Sequence, residues 1–153
     1  MRTLSRKSKY ALRALYRLTR EYANGPLLIA QVAKQERIPR KFLEAILVQL
    51  RNGGIVRSRK GRGGGYALAA PPDQVTIGAI LRVIDGPLAP LPCASETAFR
   101  LCSECPGDRP CETRLIMREV RDAIAGILDH TTLASLCATC AEEQEQRALT
   151  WEI

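Results

Sequence analysis

Apolar residues recur at helical spacing through the first fifty positions and then change to a strand-like alternation. Over residues 8–22 (SKYALRALYRLTREY), Ala11, Leu15, Leu18 and Tyr22 share one stripe, with Arg13, Arg17 and Arg20 on other faces. Asn24-Gly25-Pro26 stops this helix. A short helix from about Ile29 to Gln35 turns Ile29, Val32 and Ala33 inward, and Glu36-Arg37-Ile38 makes a brief turn. Pro39 sits where a helix can begin, because its missing N–H is not needed there. From Arg40 to Asn52 the residues Phe42, Leu43, Ile46, Leu47 and Leu50 repeat at helical spacing, and Gly53-Gly54 ends the run. Residues 55–59 (IVRSR) then alternate loosely, 60–65 (KGRGGG) form a charged glycine-rich turn, and 66–68 (YAL) return as a second strand.

Helix, tight turn, helix and hairpin is the order of a winged helix-turn-helix, expected over residues 1–72. The wing tip carries Arg59, Lys60, Arg62 and Gly63 on a slim backbone able to enter a groove or lie along phosphates. A nucleotide-cradling loop is the other reading, but Gly61, Gly63 and Gly65 fit no Walker pattern and no Gly-Lys-Ser/Thr opens a helix. Pro71-Pro72-Asp73 marks a boundary, after which Thr76 caps a helix carrying Ile77, Ile80, Leu81 and Ile84 that ends at Gly86-Pro87. That linker helix and a cysteine-rich loop fill residues 73–111. A longer helix from about Glu112 to Leu128 has Leu115, Ile116, Val120, Ala123, Ile124 and Ile127 on one face. Its apolar face suits a dimer partner, a second core helix in a monomer being the alternative. A short final element over 131–136 completes the unit 112–136, and 137–153 reads as a polar, mobile tail. The expected fold class is therefore mainly α with a small β-hairpin wing: a winged helix-turn-helix plus a long dimerisation helix.

Charge sharpens this division. Of 153 residues, the first 72 carry 16 Lys/Arg against 3 acids and the remainder 7 Arg against 13 acids, within a net charge of +7. A basic half joined to an acidic half is the footprint of a nucleic-acid grip attached to something else, though a merely solvated basic face gives a similar count. Aromatic residues make up only 5%, which argues against a stacking surface for single strands. No run of about 18 apolar residues suggests a membrane span. The basic N-terminus lacks the continuous apolar core and cleavage site of a secretory signal, so a cytoplasmic protein is expected.

In a reducing cytosol, 6 cysteines point to metal or redox chemistry more than to structural disulfides. Four of them, Cys93, Cys102, Cys105 and Cys111, fall in PCASETAFRLCSECPGDRPC, a loop punctuated by Pro92, Pro106, Gly107 and Pro110. Only Phe99 and Leu101 could drive its packing, so thiolates converging on an iron–sulfur cluster or another soft metal would supply the order. Zinc suits Cys102-x2-Cys105 with two further thiols, and a metal-free thiol switch is also open. Cys137-x2-Cys140 is a separate pair that could be a redox pair, a contributor to ligation or two incidental thiols. His130 more simply caps or packs near Thr131-Thr132 than binds metal.

For DNA, the first turn of the second helix should face base edges in the major groove. Pro39 opens that turn, and Arg40 and Lys41 can donate to guanine or phosphate. Glu44 either accepts from cytosine N4 or pairs with a basic neighbour on its own helix. A small electron-transfer or oxidoreductase protein is a different class of answer. No nucleotide or flavin motif and no nucleophile–base pairing supports it, and it gives the basic half no use, so no enzyme activity is expected.

Taken together, SKYALRALYRL, RKFLEAILVQLRNGGIVRSRKGRGGGYALA, TIGAILRVIDG and HTTLASL resemble the Rrf2 family of bacterial transcription regulators over roughly residues 1–136. Gly61-Arg62-Gly63-Gly64-Gly65-Tyr66 is the most specific match. The resemblance implies a homodimer on a pseudo-palindromic double-stranded operator. In the three-cysteine branch it also implies an iron–sulfur cluster, [2Fe-2S] or [4Fe-4S], that tunes DNA binding. Cys105-x5-Cys111 reproduces a family interval, whereas the interval back to Cys93 is longer and Cys102 is an addition. Where some relatives have a ligand histidine, this chain has Arg114, and Ser8 and Leu12 are poor substitutes for the partner-derived ligands of others. Cys102 could complete four thiolates, or a solvent or exogenous ligand could complete three; zinc is the alternative metal.

Overall fold

The computed structural model describes residues 4–103, 105 and 110–150. Helix α1 spans Arg6–Arg20, and the Ser5 side chain caps it by accepting from the Ser8 N–H at 3.0 Å. Ala11, Leu15 and Leu18 are buried as the stripe predicts, but the chain leaves the helix at Glu21. Tyr22 therefore falls in a 3-10 turn (Tyr22–Asn24) and is 41% exposed. Helix α2 (Ile29–Glu36) ends on Arg37, whose φ of 51° reverses the chain into α3 (Arg40–Asn52).

The wing is an antiparallel pair of β1 (Val56–Arg59) and β2 (Gly65–Leu68), in register from Val56 opposite Leu68 to Arg59 opposite Gly65. Its base is tied to the segment before α2, where Leu27 and Tyr66 exchange backbone hydrogen bonds of 2.9 and 2.8 Å. Gly65 permits this: its φ is +149°, and a side chain there would overlap the Leu27 carbonyl.

Helix α4 (Ile77–Asp85) is capped by the Thr76 hydroxyl, which accepts from the Ala79 N–H at 3.2 Å. Its Ile77, Ile80, Leu81 and Ile84 enter the same cluster as Leu15, Leu43, Ile46, Leu47 and Leu50, so the packing runs unbroken past the boundary expected at residue 73. Burying one such side chain contributes about 1.5–3 kcal/mol. After a 3-10 turn (Pro92–Ala94) and the cysteine loop, α5 (Glu112–His130) lies alongside α4. Gly78 allows the close approach, since a side chain there would overlap the Asp129 carboxylate.

Helix α6 (Leu133–Thr150) corrects the expectation of a short final element and a loose tail. Buried Leu133 and half-buried Leu136 anchor its start in the core. Beyond them, alanines, glutamates and glutamines continue with no Gly or Pro to stop the helix.

Candidate DNA-binding face and cysteine loop

The first turn of α3 presents Arg40 and Lys41 to solvent, with Pro39 at its N-cap. Leu43, Ile46, Leu47 and Leu50 hold the opposite side in the core, so the helix can face a groove only with its polar side. Phe42 is not a core residue: it is 40% exposed and meets Tyr10 of α1 edge-to-face, with ring centroids 5.7 Å apart. The Glu44 carboxylate accepts from Arg40 Nε at 3.1 Å, four residues away on the same helix, as the pairing alternative required. In the wing Arg59, Lys60, Arg62 and Gly63 are all exposed. The three cations there, like Lys41, have no ion-pair partner among the described residues. The helix start thus offers Lys41 free beside an Arg40 paired with Glu44, and the wing tip offers three free cations, Arg59, Lys60 and Arg62.

Not all basic residues of this half serve a polyanion. Glu36 engages Arg17 at 3.0 Å and Arg13 at 3.7 Å, fixing α1 against the end of α2. The orientation of α3 is set by long-range polar contacts that periodicity does not reveal. Gln49 Nε2 donates to the Val83 and Ile84 carbonyls of α4 at 2.5 and 3.3 Å, and its Oε1 accepts from Lys7. Asp85, at the end of α4, accepts from the Ser5 and Ser8 hydroxyls at 2.6 and 2.7 Å, and Ser8 is fully buried. A buried hydroxyl satisfied in this way specifies one packing of α1 on α4.

Three of the four loop cysteines line one cavity. Cys93 is buried in the 3-10 turn, and the chain returns to it through the Arg100 N–H, which donates to the Pro92 carbonyl at 3.3 Å. Cys111 is the N-cap residue of α5, and the Cys105 N–H donates to the Cys102 carbonyl at 3.3 Å. The cavity, about 450 Å³, is lined by Cys93, Cys102 and Cys111 together with Leu91, Arg100 and Leu101. The Cys105 thiol is pushed above its ordinary value, first by desolvation and then by neighbouring Cys102 and Cys111; a hydrogen bond to Cys102 and the more distant Cys93 add to the rise. Among the described residues no three His, Cys, Asp or Glu side chains stand at metal-binding spacing. The donor set fits a thiophilic centre, and its assembly requires the loop to close further.

Two arginines of α5 staple this loop, and neither is marked by its local sequence. Arg121 donates to the Ala94 carbonyl at 2.7 Å and pairs with Glu96 at 3.1 Å, next to the Cys93 turn. Arg114, at the position where some relatives have a ligand histidine, stacks its guanidinium over Phe99 at 4.8 Å instead. On α6, the Cys137 thiol lies against Thr19 and Arg20 of α1, and burial and neighbouring Cys140 push it up. His130 Nδ1 lies 2.7 Å from the Gly126 carbonyl, a local helix-end contact.

A half-buried recognition helix followed by a cationic wing defines a winged-helix DNA-binding protein. A family model described as "Rrf2: Iron-dependent Transcriptional regulator" matches residues 4–139, and the chain belongs to this family of transcription regulators. It is 39% identical to an rrf2-like HTH-type transcriptional regulator of Rhodobacter capsulatus, over 88% of this chain and 92% of that protein. It is 32% identical to the HTH-type transcriptional regulator CymR of Bacillus subtilis, over 93% of this chain and 94% of that one. The solved structure of the latter, described as the global cysteine regulator, superposes with a TM-score of 0.74 over 91% of this chain and 98% of that one. The structure of IscR from T. potens gives the same TM-score at 26% identity, covering 94% of this chain and 91% of that one. These relatives are regulators rather than enzymes. No helix among the described residues is long and apolar enough to cross a membrane.

Proposed function

We propose that this regulator binds a pseudo-palindromic operator as a homodimer, and that an iron–sulfur cluster held by Cys93, Cys102, Cys105 and Cys111 sets its operator affinity. The observation that carries this reading is that Cys93, Cys102 and Cys111 line one cavity with Cys105 near them, beside a turn that Arg121 ties to α5. When bound, such a cluster supplies redox and ligand-exchange chemistry. The chain's own residues do the rest. Cys93 and Cys111 are fixed at a turn and a helix start, whereas Cys102 is exposed and free to move inward. Arg121 carries a change of loop order to α5, whose exposed Leu115, Ile116 and Ile127 would pack on a second subunit. Pairing through α5 would set the separation of two α3 helices and two wings. Arg40, Lys41, Arg59, Lys60 and Arg62 would contact DNA, and Glu44 would read cytosine only after release from Arg40. Substituting Cys111 with Ala is expected to abolish iron and sulfide binding and to change operator affinity. Unchanged iron content and unchanged DNA binding would contradict the reading.

A second reading is favoured by the likeness to CymR, described as a cysteine regulator. In it the same loop is a thiol switch or zinc clasp. Zinc without colour, or a colourless metal-free protein whose DNA binding responds to oxidant, would select it.

A further inference from the structure

Cys137 and Cys140 lie outside the loop and are used by neither reading above. They stand three residues apart on α6, hence on one face of the helix; α6 packs on α1, with Cys137 near Thr19 and Arg20 of its last turn. Burial and Cys140 push the Cys137 thiol up, while Thr19 and Arg20 of α1 are near enough to favour its thiolate. Thr19 is itself fixed, donating to the Leu15 carbonyl at 2.8 Å. Both thiols are free and half-buried, and among the described residues no third ligand completes a metal set with them. A two-thiol site with a neighbouring cation suits disulfide chemistry rather than a tetrahedral metal.

We propose that Cys137 and Cys140 are a second oxidation site, at which a peroxide converts the two thiols into a disulfide within α6 and loosens that helix from α1. The Cys140 thiolate attacks a peroxide oxygen; the O–O bond breaks, leaving a sulfenic acid and, after protonation, water. The Cys137 sulfur then attacks the sulfenic sulfur. The S–O bond breaks, the hydroxyl leaves as water with the Cys137 proton, and the S–S bond forms. In sum two thiols and one hydrogen peroxide give one disulfide and two waters, and a dithiol reductant reverses the change. Cys140 takes the first step because burial and the neighbouring sulfur disfavour the Cys137 thiolate.

The coupling follows from geometry. Side chains three apart on a helix have Cβ atoms about 5–6 Å apart. A disulfide needs about 3.8 Å. Closing that gap tightens one turn of α6 and swings the Cys137 sulfur away from Thr19, removing a contact that holds α6 on α1. Helix α1 in turn packs on α3 and α4.

The test treats the full-length protein with hydrogen peroxide, blocks remaining thiols by alkylation and digests with trypsin. Cleavage after Arg121 and Arg147 yields one peptide containing these two cysteines and no other. Its mass should fall by two hydrogens with no alkyl group added, return on treatment with dithiothreitol, and behave identically in Cys111→Ala. Amide exchange over residues 17–21 should quicken severalfold on oxidation, and not in the double variant C137S/C140S. Persistence of two alkylatable thiols at a peroxide dose that oxidises the loop cysteines would overturn the site. So would pairing of either residue with a loop cysteine. A disulfide that leaves exchange at residues 17–21 unchanged would overturn the coupling. None of these outcomes depends on whether the loop carries a cluster.

Discussion

Helix α1 buries five of its fifteen residues, whereas α5, four residues longer, buries none. The first is enclosed by α3, α4, α6 and the wing of its own chain. The second has α4 on one flank and the Cys93 turn near its start. Leu115, Ile116 and Ile127, at 54%, 50% and 68% exposure, are left to water. A row of large apolar residues on a regular helix is costly unless something covers it. The DNA-binding half is therefore specified within one chain, whereas under the proposed function the other half would be specified jointly with a second subunit on α5 and a thiophilic group in the loop.

Core truncation should separate the two halves most sharply. Leu47→Ala removes a side chain that is 1% exposed and should cost about 2–5 kcal/mol in urea unfolding. Leu115→Ala should change the isolated fold by less than about 0.5 kcal/mol. Its effect should instead appear as weaker self-association by sedimentation, with an unfolding midpoint that depends more steeply on protein concentration. A Leu115→Ala effect independent of concentration would make α5 an ordinary surface helix.

The next largest effect is expected at the staple. Arg121→Ala leaves the Ala94 carbonyl and Glu96 without this partner, at a cost of about 1–3 kcal/mol. Amide exchange over residues 93–98 should rise while the Gln49 and Asp85 contacts of the grip keep their protection. Equal loosening of both regions would erase the distinction drawn here.

The smallest effect concerns the tie between α4 and α5. The hydrogen bond from Arg82, 2.9 Å from Nη2 to Oδ2, holds the Asp129 carboxyl below its ordinary value of 3.8. A depressed folded-state value means the stabilisation is present above the unfolded value and is lost as pH falls through the folded one. Both side chains are about 40% exposed, so the pair contributes roughly 0.2–1 kcal/mol, less at high salt. Acid titration of Asp129→Asn beside the wild type should show a stability gap that closes below about pH 4. A constant gap would mean that the carboxylate is not the reason for it.

Much of the grip was legible because its information is local. Pro39 and Gly53-Gly54 bracket α3 as read, and the alternation after Gly54 with the glycine-rich turn gave the wing and its exposed cations. Tyr22 leaves the expected stripe because periodicity cannot tell where a helix gives way to a 3-10 turn, and helical spacing alone does not show that Phe42, on α3 as expected, stays 40% exposed. The polar residues that orient the helices were hidden for a different reason. Ser8 meets Asp85, Gln49 meets Val83 and Arg121 meets Ala94 only after the chain has folded, and none belongs to a spacing motif. The cysteine loop was legible as chemistry but not as geometry: Cys93, Cys102 and Cys111 line one cavity, yet among the described residues no three His, Cys, Asp or Glu side chains stand at metal-binding spacing. Residues 104 and 106–109, which include Pro106 and Gly107 of the expected bend, lie outside the described residues.

The central claim is that this loop holds a cluster. Its most direct test is an absorption spectrum of protein purified without oxygen, with iron, sulfide and zinc assayed on the same sample. The account predicts visible bands with iron and sulfide in comparable amounts, both lost in Cys111→Ala. Zinc in place of iron, or a colourless protein free of metal, would contradict it.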